Sequence, residues 1–179
     1  IILYIQFKTI TTSLMIFFGI VMAFSGGFIL MGLYNSDWFL NFSVFGVPMR
    51  EVFQIAPINL SVAVWVGFIA LFGIATDDGV LMGTYLNQIF QKKKPDTIPQ
   101  IRKATLEAGL RRIRPAVMTT ATTLIALLPV LTSSGRGSDI MIPMAIPIFG
   151  GMVIASVTYF IVPVLYSWQK EIKLEKRKS

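Results

Sequence analysis

The sequence predicts an all-α membrane protein, a polytopic bundle of about four full transmembrane helices plus the end of a preceding one. The first observation is composition, since 54% of the 179 residues are hydrophobic and only 14% are charged, against roughly 25% charged in soluble domains. The second is that uncharged stretches recur at lengths that cross a hydrocarbon core about 30 Å thick. The third is that most Lys and Arg residues lie outside these stretches.

The apolar stretches and their connections divide the chain into eight segments. Residues 1–8 are predicted to end a preceding transmembrane helix, because they are apolar and carry no initiator Met, charged leader or cleavage site. We therefore expect the chain to be a piece of a longer protein. The remaining segments are a span over 10–34, a periplasmic loop over 35–58, a span over 59–90, a cytoplasmic connector helix over 91–114 that Pro115 ends, spans over 115–133 and 142–168, and a basic cytoplasmic tail over 169–179.

The positive charges predict the orientation of the chain. The start of the chain, the connector and the tail carry 14 of the 16 Lys and Arg residues, and only Arg50 and Arg136 fall on the other face. The positive-inside rule places the first set, and with it the C-terminus, in the cytoplasm. The net charge of +7 is then explained by topology and by contact with anionic lipid, so no nucleic-acid partner is predicted.

Small residues recur at intervals of four in the first two spans. Such stripes allow helix backbones to approach closely, and they predict a tightly packed bundle. The residues are Gly19, Ala23 and Gly27 in the first span and Ala75, Gly79 and Gly83 in the second.

Two adjacent acids, Asp77 and Asp78, lie in the middle of the second span. Each aspartate at the bilayer centre costs roughly 2.5 to 3.5 kcal/mol on insertion scales, a loss that usually marks a proton relay or an ion pathway. Successive helix residues point about 100° apart, so the two side chains face different directions. Desolvation and mutual repulsion both favour protonation. We predict a coupled proton relay, although buried acids that only bond to Ser or Thr or pair with a cation remain an alternative.

Partners for these acids are scarce in the sequence. No Lys or Arg is expected at membrane depth, and the chain has no His or Cys, which excludes imidazole and thiolate chemistry. The predicted polar partners are hydroxyl groups in the cytoplasmic half of the third span. They are Thr119, Thr120, Thr122 and Thr123.

Three stretches resemble the last membrane helices of the heavy-metal efflux branch of resistance-nodulation-division (RND) transporters, the CusA/CzcA type. They are "NLSVAVWVGFIALFGIATDDGVLM", "RRIRPAVMTTATTLIALLPVL" and "GRGSDIMIPMAIPIFGGMVIASVTYFIVPVLY", in family order and spacing. The resemblance implies helices nine to twelve of a trimeric inner-membrane permease of Gram-negative bacteria. Such a permease joins a periplasmic adaptor and an outer-membrane channel and exports metal cations in exchange for protons, with no bound cofactor.

The resemblance also assigns roles to single residues, and two positions depart from it. "ATDDG" places Asp77 on the family's helix-ten carboxylate, whereas Asp78 stands where the family usually has an apolar residue. Ala116 stands where some copper and silver exporters carry a lysine. We hypothesise that Asp77 and Asp78 share protons between themselves and with helix-four acids outside this chain.

Met141 carries over from a methionine of the family's metal relay, and soft sulfur suits Cu(I) or Ag(I). Met is also a common gap-filler in helices, so a packing role remains open, and the metal cannot be named from the sequence.

Two other functions use intramembrane acids. An intramembrane aspartyl protease needs its two acids on facing helices, and here both lie on one helix. A cation channel or an accessory subunit could use the pair to bind a divalent ion through oxygen ligands. Dependence on a proton gradient separates an exporter from a channel.

Overall fold

A computed structural model describes residues 10–178, and the predicted helix end over 1–8 lies outside them. Four of its helices are long and apolar enough to cross a membrane. They are α1 (Ile10–Tyr34), α3 (Val62–Lys93), α4 (Ile98–Leu131) and α5 (Ser138–Lys178). The predicted fold class, an all-α bundle of four spans, is confirmed.

Helix α3 extends a few residues beyond the predicted span at its C-terminal end. The backbone N–H of Val64 donates to the side chain of its N-cap residue, Ser61, over 3.5 Å. Lys94 ends the helix in a left-handed conformation, with φ 41°, and its N–H donates to the carbonyl of Phe90. With these bounds, Asp77 and Asp78 are the two middle residues of the helix.

The prediction that Pro115 ends the connector helix is wrong. Residues Ile98–Leu131 form one helix, α4, with Pro115 and Pro129 inside it. A proline removes one backbone hydrogen bond, but a helix packed among neighbours and crossing a membrane tolerates that loss. The predicted connector and third span are therefore parts of one continuous element.

Helix α5 packs against each of the other three long helices and forms the centre of the bundle. It runs from Ser138 to Lys178 with three internal prolines, and it continues through the residues predicted as a tail. It approaches α1 closely, since a Cβ atom added to Gly26 would lie 2.6 Å from the carbonyl oxygen of Gly150. Only glycines at this crossing let the two backbones meet.

The predicted small-residue stripes lie at helix contacts. A Cβ atom added to Gly27 would lie 2.6 Å from a ring carbon of Phe68, and one added to Gly79 would lie 2.7 Å from Ile16. Ala23 is fully buried, Gly83 is also buried, and Ala75 is partly buried. Gly19 has more room, since an added Cβ would meet Thr158 at 3.9 Å.

The predicted loop over 35–58 has local structure of its own. It contains a two-stranded antiparallel hairpin, β1 (Ser43–Val44) with β2 (Val47–Pro48), followed by the short helix α2 (Met49–Val52). The guanidinium of Arg50 donates to three backbone carbonyls, among them that of Asp37 at 2.6 Å. This arginine therefore ties the loop to the end of α1.

Two buried clusters fill the bundle, one toward each end. The first packs Phe68 and Leu71 of α3 against Ile146 of α5, on the hairpin side of the aspartates. The second packs Leu86 and Phe90 of α3 with parts of α4 and α5 on the other side. Asp78 lies between these clusters along α3.

Candidate functional site: an aspartate held by three helices

Asp78 is the centre of a polar network inside the bundle. Its Oδ1 accepts a hydrogen bond from Nη2 of Arg112 at 3.2 Å, and its Oδ2 accepts one from the hydroxyl of Tyr159 at 2.6 Å. The Tyr159 hydroxyl lies 2.9 Å from Oγ1 of Thr120. Because Tyr159 donates to Asp78, Thr120 donates to Tyr159. One carboxylate thus connects α3, α4 and α5.

The helical repeat of α4 explains how Arg112 and Thr120 reach the same place. They are eight residues apart, which is slightly more than two turns, so both lie on one face. Ala116 lies between them and is 1% exposed. This face of α4 packs toward α3 and α5. Its two polar residues, Arg112 and Thr120, both belong to the network around Asp78.

The ion pair of Asp78 and Arg112 is largely shielded from solvent. Each side chain is 16% exposed in this chain. The Nε atom of Arg112 is buried and has no hydrogen-bond partner among the described residues. A small cavity beside Asp78 is lined by Gly79, Met82 and Tyr159. The guanidinium therefore has an unused donor beside a carboxylate in mainly apolar surroundings.

Asp77 lies outside this network. Its side chain is exposed, and no hydrogen bond or ion pair to it is found within residues 10–178. Ala70 and Gly73 share its exposed face, and a Cβ atom added to Gly73 would meet nothing within 4 Å. The structure thus separates the acidic pair, with Asp78 turned into the bundle and Asp77 turned away from it.

The prediction that no Lys or Arg reaches the acids is wrong. It depended on a connector helix ending at Pro115, which would leave Arg112 outside the membrane. Because α4 continues through Pro115, the long side chain of Arg112 follows the helix and reaches Asp78. Arginine can bury its apolar stem while its charged end finds a partner.

The predicted threonine partners do not contact either acid, with Thr120 as the indirect exception through Tyr159. The hydroxyl of Thr119 donates to the carbonyl of Pro115, that of Thr122 to Met118, and that of Thr123 to Thr119. These three hydroxyls therefore satisfy the backbone of their own helix.

Comparison with known proteins identifies the family. Residues 51–170 match the family model described as the AcrB/AcrD/AcrF family. The chain belongs to this family. SilA of Salmonella typhimurium is 32% identical over 93% of the chain, and the cation efflux system protein CusA of Escherichia coli K12 is 31% identical over 93%. The cobalt-zinc-cadmium resistance protein CzcA of Cupriavidus metallidurans is 26% identical over 93%. These relatives support the heavy-metal branch of RND transporters.

The chain spans about 14% of the length of these relatives. No solved structure matches it. As a member of this RND family with four apolar helices of spanning length, it is a membrane protein.

Within the family resemblance, the structure gives the Ala116 departure a physical explanation. Arg112 lies one helical turn before Ala116 on the same face of α4, and it is the residue that contacts Asp78. In this chain a positive charge thus lies one helical turn before position 116, on Arg112. The extra acid, Asp78, is the acid that this arginine neutralises.

Met141, the predicted metal contact of the family's relay, lies near the N-terminal end of α5, whereas the network contacts the middle of that helix. It is 44% exposed and lies in the first turn of the helix. Tyr159 is eighteen residues further on, about 27 Å along a helix that rises 1.5 Å per residue. Within residues 10–178, no group of three or more Asp, Glu, His or Cys side chains is placed to hold a metal ion.

Sequence reasoning did not select Arg112 or Tyr159. Arg112 lies in a run of three arginines interrupted by one isoleucine, a pattern that usually indicates a solvated helix face. Tyr159 is surrounded by apolar residues and is distant in sequence from the acids. The spacing of Arg112 and Thr120, which places both on one face of α4, is a signal that could have indicated Arg112.

Proposed function

We propose that the chain is the C-terminal transmembrane part of a proton-driven RND efflux permease that exports heavy-metal cations. The permease acts as a secondary active transporter, a proton/cation antiporter, and not as an enzyme. The observation that carries this proposal is the shielded carboxylate of Asp78, bonded to Arg112 and Tyr159 at the middle of α3. The family to which the chain belongs supports the efflux function.

Asp78 is suited to carry a proton because its two states interact differently with its surroundings. When ionised, it is stabilised by the Arg112 guanidinium and the Tyr159 hydroxyl. Protonation removes the Coulomb attraction and leaves the charge of Arg112 without a counter-ion in a poorly solvated site. The contact between α3 and α4 must then change, so proton uptake is coupled to helix movement.

Asp77 supplies the second part of the relay. Its exposed face is lined by the small residues Ala70 and Gly73, which allow another helix to pack closely. We expect helix-four acids of the complete permease to lie across this face and to share protons with Asp77. The pair would then connect two parts of the permease, with Asp78 bound on one side and Asp77 on the other.

The wider assembly follows from the resemblance to heavy-metal RND permeases. The complete protein forms a homotrimer in the bacterial inner membrane, with the C-terminus in the cytoplasm, and joins a periplasmic adaptor and an outer-membrane channel. Its substrate is a metal cation of the copper and silver or the cobalt, zinc and cadmium class. Met141 is a thioether contact for a soft cation entering from the hairpin side of the bundle.

A transport assay on the full-length permease in liposomes tests the proposal. Loss of a group that transfers a proton typically slows a reaction about a hundredfold or more. Asp77→Asn and Asp78→Asn are therefore each expected to lower the proton flux coupled to metal transport by at least about tenfold. Asp139→Asn is the matched control, since Asp139 lies in the first turn of α5 and outside the network.

Two results would refute the proposal. Unchanged proton-driven export in both Asn variants would remove the aspartates from the relay. Metal flux that persists at full rate without any proton gradient would instead support a cation channel.

A further inference from the structure

A basic cavity lies between the C-terminal end of α3, the start of α4 and the last turns of α5. We call it the lysine cavity and define it by Lys94, Lys170 and Lys173 together with the apolar residues Phe90, Ile101 and Leu174. Asp96 is the one acid among its lining residues. The cavity thus combines an excess of positive charge with apolar contact surface.

The three lysines form no ion pair with any carboxylate in the part of the chain that the structure describes. Within the described residues, Lys93, Arg102 and Arg111 form ion pairs with carboxylates, whereas no ion pair is found for the lysines of the cavity. Lys170 is partly buried, and its ammonium lies 5.7 Å from the ring centre of Phe90 and 5.2 Å from that of Tyr166. These rings hold the ammonium in place without cancelling its charge.

The depth of the lysine cavity corresponds to a lipid headgroup layer. Phe90 is twelve residues beyond Asp78 on α3, about 18 Å along the helix axis at 1.5 Å per residue. The aspartates are at the helix midpoint, half of the hydrocarbon core is about 15 Å, and half of the whole bilayer is about 20–22 Å. With the bundle centred on the membrane, the lysines therefore lie just beyond the hydrocarbon and among the headgroups.

We propose that the lysine cavity binds the headgroup of an anionic phospholipid. The phosphate contacts Lys94, Lys170 and Lys173, and the first carbons of the acyl chains contact Phe90, Ile101 and Leu174. Basic pockets between membrane helices on the cytoplasmic side recognise anionic headgroups in this way. The proposal goes beyond the transport function, because it depends on the membrane placement of the bundle and not on proton coupling.

A binding assay with a charge-matched control tests this site. The full-length protein in neutral detergent is titrated with phosphatidylglycerol or phosphatidylcholine, and bound lipid is counted by native mass spectrometry. The cavity triple variant is Lys94→Gln, Lys170→Gln and Lys173→Gln. The control triple variant is Lys92→Gln, Lys103→Gln and Lys176→Gln, which removes the same charge from exposed positions outside the lysine cavity.

We expect the cavity triple to bind phosphatidylglycerol at least about tenfold more weakly than the unmodified protein, and the control triple to stay within about twofold. Phosphatidylcholine should bind weakly to all three proteins. If the cavity triple does not fold, Lys170→Gln alone should weaken phosphatidylglycerol binding about threefold or more.

Three outcomes would overturn the proposal. An equal loss in both triples would indicate diffuse surface charge. Equal binding of the two lipids to the unmodified protein would exclude headgroup selection. Full displacement of phosphatidylglycerol by an equal concentration of inorganic phosphate would indicate a site for free phosphate. The assay contains neither a proton gradient nor a metal, so its failure is distinct from a failure of proton-coupled export.

Discussion

At the scale of single residues, one arginine and one tyrosine stabilise the carboxylate of Asp78 at the middle of a membrane helix. Arg112 supplies the charge, Tyr159 supplies a hydrogen bond, and Thr120 fixes the direction of the tyrosine hydroxyl. None of these residues is adjacent to Asp78 in the sequence. The arrangement exists because α4 places two polar side chains, and α5 places one, near the middle of α3.

Removal of the arginine tests how strongly the network depends on charge. Arg112→Met leaves the Asp78 carboxylate without its counter-ion, and loss of one partner of a buried pair costs on the order of 3 kcal/mol. Thermal unfolding in detergent should show a clear fall in the midpoint temperature, and the double variant Arg112→Met with Asp78→Asn should recover most of it. Arg111→Met is the neighbouring control, because Arg111 is exposed and pairs with Glu107. If the midpoint temperature of the double variant were as low as that of Arg112→Met, the arginine would stabilise the bundle through packing and not through its charge.

Tyr159→Phe removes a hydroxyl that donates to Asp78 and accepts from Thr120. We expect a loss of about 1–3 kcal/mol in stability, because two buried polar groups lose a partner. Tyr85→Phe is the control, since Tyr85 is 39% exposed on α3. Chemical or thermal unfolding of the two variants side by side measures the difference. Equal stability would mean that water replaces the lost hydroxyl.

At the scale of elements, the crossing of α1 and α5 depends on glycine. Gly26→Ala would place a methyl group 2.6 Å from the carbonyl oxygen of Gly150, so the helices would have to separate. Overpacking of this kind costs about 1–3 kcal/mol. Gly32→Ala, on the same helix but with nothing within 4 Å of the added carbon, should be neutral or slightly stabilising. A lower midpoint temperature of thermal unfolding for Gly32→Ala than for Gly26→Ala would contradict this packing.

The elements also show which features the sequence predicts and why others escape it. Apolar length predicts the four spans, because each helix must match the hydrocarbon thickness whatever its neighbours are. The end of the connector was mispredicted because Pro115 acts as a helix stop only where no surrounding structure compensates for the lost bond. The partner of Asp78 depends on how three helices are rotated against one another. That rotation is set by packing at pairs such as Gly67 with Met144 and Gly109 with Pro163, and not by any local pattern.

At the scale of the whole molecule, the uneven distribution of charge predicts an orientation that labelling can test. The chain itself contains no cysteine, so a single cysteine introduced into it gives an unambiguous signal in a permease whose other cysteines are replaced by serine. Ser43→Cys in the hairpin and Ser134→Cys between α4 and α5 should react with a membrane-impermeant maleimide at the periplasmic face of cells with a permeabilised outer membrane. Thr97→Cys at the start of α4 should react only after the inner membrane is opened. The reverse pattern would invert the proposed topology.

The candidate functional features lie at three levels along the bundle. The hairpin and Met141 lie at one end, the Asp78 network lies in the middle, and the lysine cavity lies at the other end. This order suits the proposed mechanism, in which protons pass through the middle of the bundle while its two ends remain in the two membrane interfaces. The central claim of that mechanism is that Asp78 changes its protonation state within the folded bundle.

Infrared difference spectroscopy of the intact permease, recorded across a pH titration, tests this claim most directly. We predict that the carbonyl band of protonated carboxyl groups grows as the pH falls, that Asp78→Asn removes one component of this band, and that Asp139→Asn leaves that component in place. A spectrum in which no such band depends on Asp78 from mildly acid to alkaline pH would mean that Arg112 holds the carboxylate permanently ionised, and the proposed proton cycle would be wrong.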